Sequence, residues 1–139
     1  MRSLHSDSGY LLYRLGLRSG QLFNATLQES GLRLRHYALM RYLSTVSGAL
    51  QRELSSRLGY DPSAIVSLVD DLERSGLAER RPDPADRRGR VVVLTDSGRV
   101  FLRDSDTAAQ RVTDDLLAPL APRERRTLHD LLLRIAVPE

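Results

Sequence analysis

The run from Leu50 to Gly76 constrains the fold of this chain most, because it holds two short amphipathic segments with almost nothing between them. Asp61-Pro62 places an acceptor side chain at a helix N-cap and proline at the first helical position, both favoured there. Ile65, Leu68, Val69 and Leu72 follow at i, i+3, i+4 and i+7, one buried stripe, and Gly76 closes the helix. Just upstream, the spacing predicts a short helix from about Leu50 to Leu58, stopped by Gly59. Two helices joined by a few residues that include glycine make a helix-turn-helix.

After Gly76 the period changes. Leu77 to Arg81 and Arg90 to Leu94 are short, and Val91-Val92-Val93 is β-branched, which favours a strand. The intervening Pro82-Asp83-Pro84-Ala85-Asp86-Arg87-Arg88-Gly89 is rich in turn formers, so a two-stranded hairpin with a basic tip is expected. Helical spacing accounts for the remainder. Ser8, as cap, opens a helix to about Glu29 carrying Leu11, Leu12, Leu15, Leu22 and Phe23. A second helix runs from about Arg33 to Thr45. Thr95 caps one that reaches about Leu117, and Leu128, Leu131, Leu132 and Ile135 stripe the last.

The expected fold is therefore mainly α with a small β-hairpin wing (α+β), a winged helix-turn-helix with N- and C-terminal dimerisation helices. Residues 1–139 form one domain, within which 33–98 are the winged helix-turn-helix lobe and 1–30 with 99–139 the helical dimerisation region. Leu11, Leu12 and Leu15 at one end, and Leu128 to Ile135 at the other, exceed what a small central lobe can cover. A homodimer built from both termini hides them; folding of the terminal helices onto the lobe is the alternative.

Charge is unevenly spread. All 21 basic residues are arginine, each a planar fork suited to phosphate or guanine. Six arginines against Asp7 and Glu29 leave residues 1–49 at +4, whereas 50–90 are neutral and 91–139 carry −1. Inside the neutral stretch, Arg80, Arg81, Arg87, Arg88 and Arg90 meet only Asp83 and Asp86, the footprint of a site for a polyanion. The absence of cysteine excludes disulfides, thiolate zinc sites and thiol redox sensing. No apolar run is long enough for a membrane span and no signal-peptide pattern opens the chain, so a cytoplasmic protein without a membrane partner is expected.

Two blocks together resemble a known family. Ser67-Leu68-Val69-Asp70-Asp71-Leu72-Glu73-Arg74-Ser75-Gly76-Leu77 is similar to the recognition helix and exit of regulators of the multiple-antibiotic-resistance (MarR) type. Asp83-Pro84-Ala85-Asp86-Arg87-Arg88-Gly89-Arg90, followed by Leu94-Thr95-Asp96-Ser97-Gly98, looks like that family's wing and its exit. The resemblance implies a dimeric, sequence-specific transcription factor, usually a repressor, often released by a small aromatic or phenolic acid. Where many relatives carry a long side chain, this chain has Ser67, so their operator preference does not transfer.

Site residues follow. At about 100° per residue, Ser63, Ser67, Asp70 and Arg74 lie opposite the buried stripe. Ser63 and Ser67 are the expected base contacts, with Ala64 near a thymine methyl. Asp70 is expected to pair with Arg74 at i+4, with cytosine N4 as the alternative partner. By resemblance Arg88 is the tip residue that enters the minor groove, held by Asp86, while Arg87 and Arg90 take phosphates. Arg33, Arg35 and Arg57 are further phosphate candidates, and a surface pair with Glu79 is the competing role for Arg80 or Arg81.

An effector pocket would draw on Tyr13, Arg14, His36, Tyr37 and Met40 of the first two helices, Arg14 neutralising a carboxylate. The plain alternative is that Tyr13, Tyr37 and Met40 pack the core or the dimer interface. No metal, cofactor or catalytic group is expected: His5, His36 and His129 are scattered, and there is no phosphate loop or nucleophile elbow. The reading that competes with DNA binding is a winged-helix module that binds another protein.

Overall fold

A computed structural model describes residues 3–137. Met1, Arg2, Pro138 and Glu139, the outermost residues of the expected terminal helical region, lie outside it. Six helices and one hairpin follow in the expected order: α1 (Ser8–Leu27), α2 (Leu34–Leu43), α3 (Gln51–Leu58), α4 (Pro62–Arg74), β1 (Ala78–Pro82), β2 (Arg90–Leu94), α5 (Asp96–Leu116) and α6 (Pro122–Ala136). Short 3₁₀ turns precede and follow α1. Among the described residues, no helix is long and apolar enough to cross a membrane.

The core sits in the middle of the chain. Leu39, Met40 and Leu43 from α2, Leu54 from α3, Ile65, Val69 and Leu72 from α4, and Val92 from β2 are its most deeply buried side chains. Burial of an aliphatic side chain is worth about 1.5–3 kcal/mol, so this cluster fixes α4 by its apolar stripe and leaves the opposite face to solvent. The hairpin is antiparallel, with Ala78 opposite Leu94 and Pro82 opposite Arg90. Ala49 adds a bridge to Val92 with hydrogen bonds of 3.0 and 2.8 Å, tying the start of α3 to the wing.

The hairpin's exit is sterically determined. Thr95 Oγ1 accepts from the Gly98 amide at 3.0 Å, the expected cap, and donates to the Gly76 carbonyl at 2.6 Å. A Cβ on Gly98 would lie 2.0 Å from the Leu77 carbonyl oxygen. Only glycine allows α5 to start so close to the strand. Gly59 and Gly76 instead serve as left-handed residues at φ 69° and 71°, ending α3 and α4.

Two caps differ from expectation. Asp7, not Ser8, is the N-cap of α1, its carboxylate accepting from the Tyr10 amide at 3.1 Å. Asp61 occupies the N-cap of α4 but its side chain makes no capping bond there. The Asp61 carboxylate takes the Ser63 hydroxyl at 3.5 Å in place of the Ser63 or Ala64 amide.

The two terminal helices keep much of their apolar surface in solvent. No residue of α6 is buried, and Leu131, Leu132, Leu133 and Ile135 are 39–68% exposed. On α1, Leu11, Leu12, Leu15 and Leu17 are 37–49% exposed. Helix α1 packs on α2 and α5 through its C-terminal half, where Phe23 and Leu27 are buried, whereas its N-terminal leucines and the whole of α6 stay outside the core.

Candidate nucleic-acid interface

The exposed face of α4 carries Ser63, Ser67, Asp70 and Arg74, as the stripe on its other side requires, and Ala64 is half-buried at the edge. The charged residues of this face are engaged differently from expectation. Arg74 pairs with Asp71 at i+3, and Asp70 pairs with Arg80 of β1 at 2.9 Å. The i+4 pair is displaced because both acids find partners from outside the helix.

Arg80 is the hub of that arrangement. It is only 20% exposed, bonds Glu73 as well as Asp70, and donates through Nε and Nη2 to Gln51 Oε1 of α3 at 3.1 and 2.9 Å. Arg81 pairs with Glu79. Two of the five arginines read from sequence as a polyanion footprint are thus spent inside the protein, and the free cations are Arg87, Arg88 and Arg90. All three are exposed and without an ion-pair partner among the described residues.

The wing tip is ordered by its backbone. Asp83 Oδ1 accepts from the Ala85 amide at 2.9 Å, and Asp86 Oδ1 from the Arg88 amide at 2.9 Å. The Gly89 amide donates to the Asp86 carbonyl at 3.0 Å, and the Asp83 amide to the Gly89 carbonyl at 3.0 Å. Asp86 therefore shapes the turn, as expected, but grips the Arg88 backbone and leaves its guanidinium free. Elsewhere, Arg35 stacks on the Tyr60 ring, 4.8 Å from its centroid, just before the start of α4. Arg33 and Arg57 are exposed.

His36 supports α4 from the other flank. Its Nδ1 accepts from the Arg33 amide at 3.0 Å, and a backbone N–H can only donate, so the ring proton is on Nε2 and points to Asp71 Oδ2 at 2.9 Å. That bond above all, with Arg74 adding to it, holds the Asp71 carboxyl below its ordinary value. Sequence reasoning missed this role; a histidine three residues after a helix start was the available signal. Asn24, whose side chain accepts from the Leu34 amide at 2.7 Å, was missed similarly.

The five effector candidates are not brought to one cavity. Met40 is fully buried in the core and His36 is committed to the two bonds above. Tyr37 stacks on Phe23 at 4.7 Å and donates to Asp106 Oδ1 at 2.7 Å. Tyr13 and Arg14 stand exposed on α1. The nearby cleft of about 500 Å³ between α2 and α5 is lined by Arg41, Ser44, Asp96, Arg99, Val100, Leu102, Arg103 and Asp106, and by none of the five.

A helix pair with a polar outer face, a hairpin ending in free arginines and a glycine-fitted exit define a winged helix-turn-helix DNA-binding protein. The chain belongs to the MarR family of transcriptional regulators. The family's sequence profile matches residues 30–89. Over 138 residues the chain is 31% identical to the uncharacterized HTH-type transcriptional regulator YdgJ of Bacillus subtilis, covering 97% of this chain and 82% of that protein. Its structure is similar to that of a MarR-family transcriptional regulator from Rhodococcus sp. RHA1, with TM-score 0.92, 31% identity and full coverage of both chains. It is also similar to CouR from Rhodococcus jostii RHA1 bound to p-coumaroyl-CoA, with TM-score 0.87 and 32% identity over 100% of this chain and 98% of that one.

Proposed function

We propose that a homodimer of this chain binds a palindromic duplex operator and represses transcription in the cytoplasm. Helix α4 lies in the major groove, with Ser63, Ala64 and Ser67 at base edges and Arg74 at its C-terminal end. The wing, residues 82–90, enters the minor groove through Arg88, with Arg87 and Arg90 on phosphates and Arg35 and Arg57 as outlying phosphate contacts. The observation that carries this reading is the wing tip: an ordered turn that spends its two acids on backbone amides and presents unpaired guanidinium groups. Narrow A·T-rich minor grooves attract such groups.

The exposed leucines of α1 and α6 support the dimer, since a monomer rarely leaves so many large apolar side chains in water. Two recognition helices then address half-sites about 10 bp apart. A small aromatic or phenolic ligand is the effector class we assign, on the strength of the phenolic acyl group of the p-coumaroyl-CoA held by CouR. Tyr13 and Arg14 are its accessible contacts on α1.

Selection of bound sites from random duplex DNA at near-physiological salt tests the reading, with a salt series on the enriched site. A palindromic site is expected, its log–log salt slope changing by about −0.9 per neutralised phosphate. Arg88→Ala should weaken binding at least tenfold with an unchanged circular dichroism spectrum. A folded dimer that enriches no site, or whose partner binding ignores salt, would return the weight to a protein-binding module.

A further inference from the structure

An acid and an exposed aliphatic group on a groove-facing helix need a reason. Val66 is 41% exposed on α4, the one large apolar side chain of that helix left to solvent. It contributes nothing to the core, and a β-branched residue on an exposed helical position is a slightly unfavourable choice. Asp70, one turn on, would repel phosphate if it stood free. It does not stand free: Arg80 holds Oδ1 at 2.9 Å while remaining mostly buried itself, fastened to α3 through Gln51. The counter-charge is thus built in, and Oδ2 has no partner among the described residues. The helix offers no competing cation, since its single arginine, Arg74, is paired with Asp71.

We infer that Val66 and Asp70 form a pyrimidine reader, Val66 packing on a thymine methyl and Asp70 Oδ2 accepting from cytosine N4, with Arg80 positioning the carboxylate. Both groups sit on the same edge of the major groove, the methyl at C5 and the amino group at C4 of a pyrimidine. Four helical residues rise about 6 Å, close to two base steps of about 3.4 Å, so the two contacts fall on one strand two positions apart. Guanine finds no free arginine or lysine, its usual readers, on this helix. The inference rests on the DNA-binding reading above and adds the bases that α4 specifies.

The test uses the full-length protein and the site it enriches. Each thymine of a half-site is replaced singly by uracil, which removes only the methyl group. One position should weaken binding about fourfold, the worth of one buried methyl, and Val66→Ala should bind the thymine and uracil duplexes equally. Asp70→Asn should lose its preference for cytosine two positions away, because an amide both donates and accepts. Arg80→Met should lose the same preference without reducing the salt slope, which separates positioning from phosphate contact. An enriched site indifferent to every uracil replacement, or one specifying guanine at the position Asp70 controls, overturns this inference alone. A failure to enrich any site overturns the DNA-binding reading as well.

Discussion

Tyr37 joins three helices, and removing one oxygen atom tests how much that junction contributes. Its ring packs on Phe23 of α1, and its hydroxyl donates to Asp106 of α5 at 2.7 Å. Tyr37→Phe keeps the ring and loses the bond. A hydrogen bond to a charged group is worth about 1.5–3 kcal/mol. The lower end applies here, since Asp106 is 37% exposed and retains Arg41 at 3.3 Å. The variant should therefore be less stable by about 1.5 kcal/mol at pH 8, measured by urea denaturation at fixed chain concentration. A second signature is stricter. Burial first, then the bond to Asp106, raises the Tyr37 phenol from 10.0 to about 12. The folded protein therefore holds the phenolic proton more tightly than the unfolded chain does. That contribution is complete below pH 10 and is lost as pH climbs towards 12, a fall of about 2–3 kcal/mol at 1.36 kcal/mol per unit. The variant lacks this titration, so its deficit should close above pH 10 and reverse near pH 12. Parallel stability curves for the two proteins across that range would refute the reasoning.

Two other perturbations address the frame that holds the interface. Gly98→Ala drives a methyl group into the Leu77 carbonyl, which is itself anchored by the Thr95 amide at 3.1 Å, so neither side yields easily. A loss of about 3 kcal/mol, the upper end for overpacking, is expected by urea denaturation, and a loss below about 1 kcal/mol would contradict the steric account. Asp71 is held below its ordinary value of 3.8 by His36, so its stabilisation is complete above that pH and declines as pH falls through the lowered value. Asp71→Asn should flatten the acid limb of the stability–pH curve, and an unchanged limb would mean that the His36 bond contributes nothing.

What the sequence made legible was local. The stripe of Ile65, Leu68, Val69 and Leu72, the β-branched run at 91–93 and the Thr95 cap each express a rule acting within a few residues, and all three stand in the structure. What it concealed was the choice among equivalent partners. Asp7 and Ser8 are both competent caps, and only the geometry of the chain entering α1 selects Asp7. Asp70 and Asp71 are adjacent acids within reach of Arg74. Which one pairs with it is decided by Arg80 from the strand and His36 from α2, 10 and 35 positions from the acids they hold. The effector candidates met the same limit, because aromatic and soft residues on two helices look alike whether they line a pocket or fill a core. Met40 fills the core.

The same partner choices divide labour across the interface. Helix α4 is braced on one flank by Arg80 with Asp70, Glu73 and Gln51, and on the other by His36 with Asp71. Both braces spend charge inside the protein, which leaves the middle of the exposed face of α4 with hydroxyls, one valine and one pre-neutralised acid. Such a surface supplies little attraction for a polyanion. Three guanidinium groups without an ion-pair partner among the described residues stand together at the wing, where the turn is closed by backbone bonds that ask nothing of the arginine side chains. Affinity and its salt dependence should accordingly reside in Arg87, Arg88 and Arg90, and discrimination between bases in α4. Substitutions at the wing should weaken all duplexes alike, whereas those at Ser67 or Val66 should change which duplex is preferred at a nearly constant salt slope.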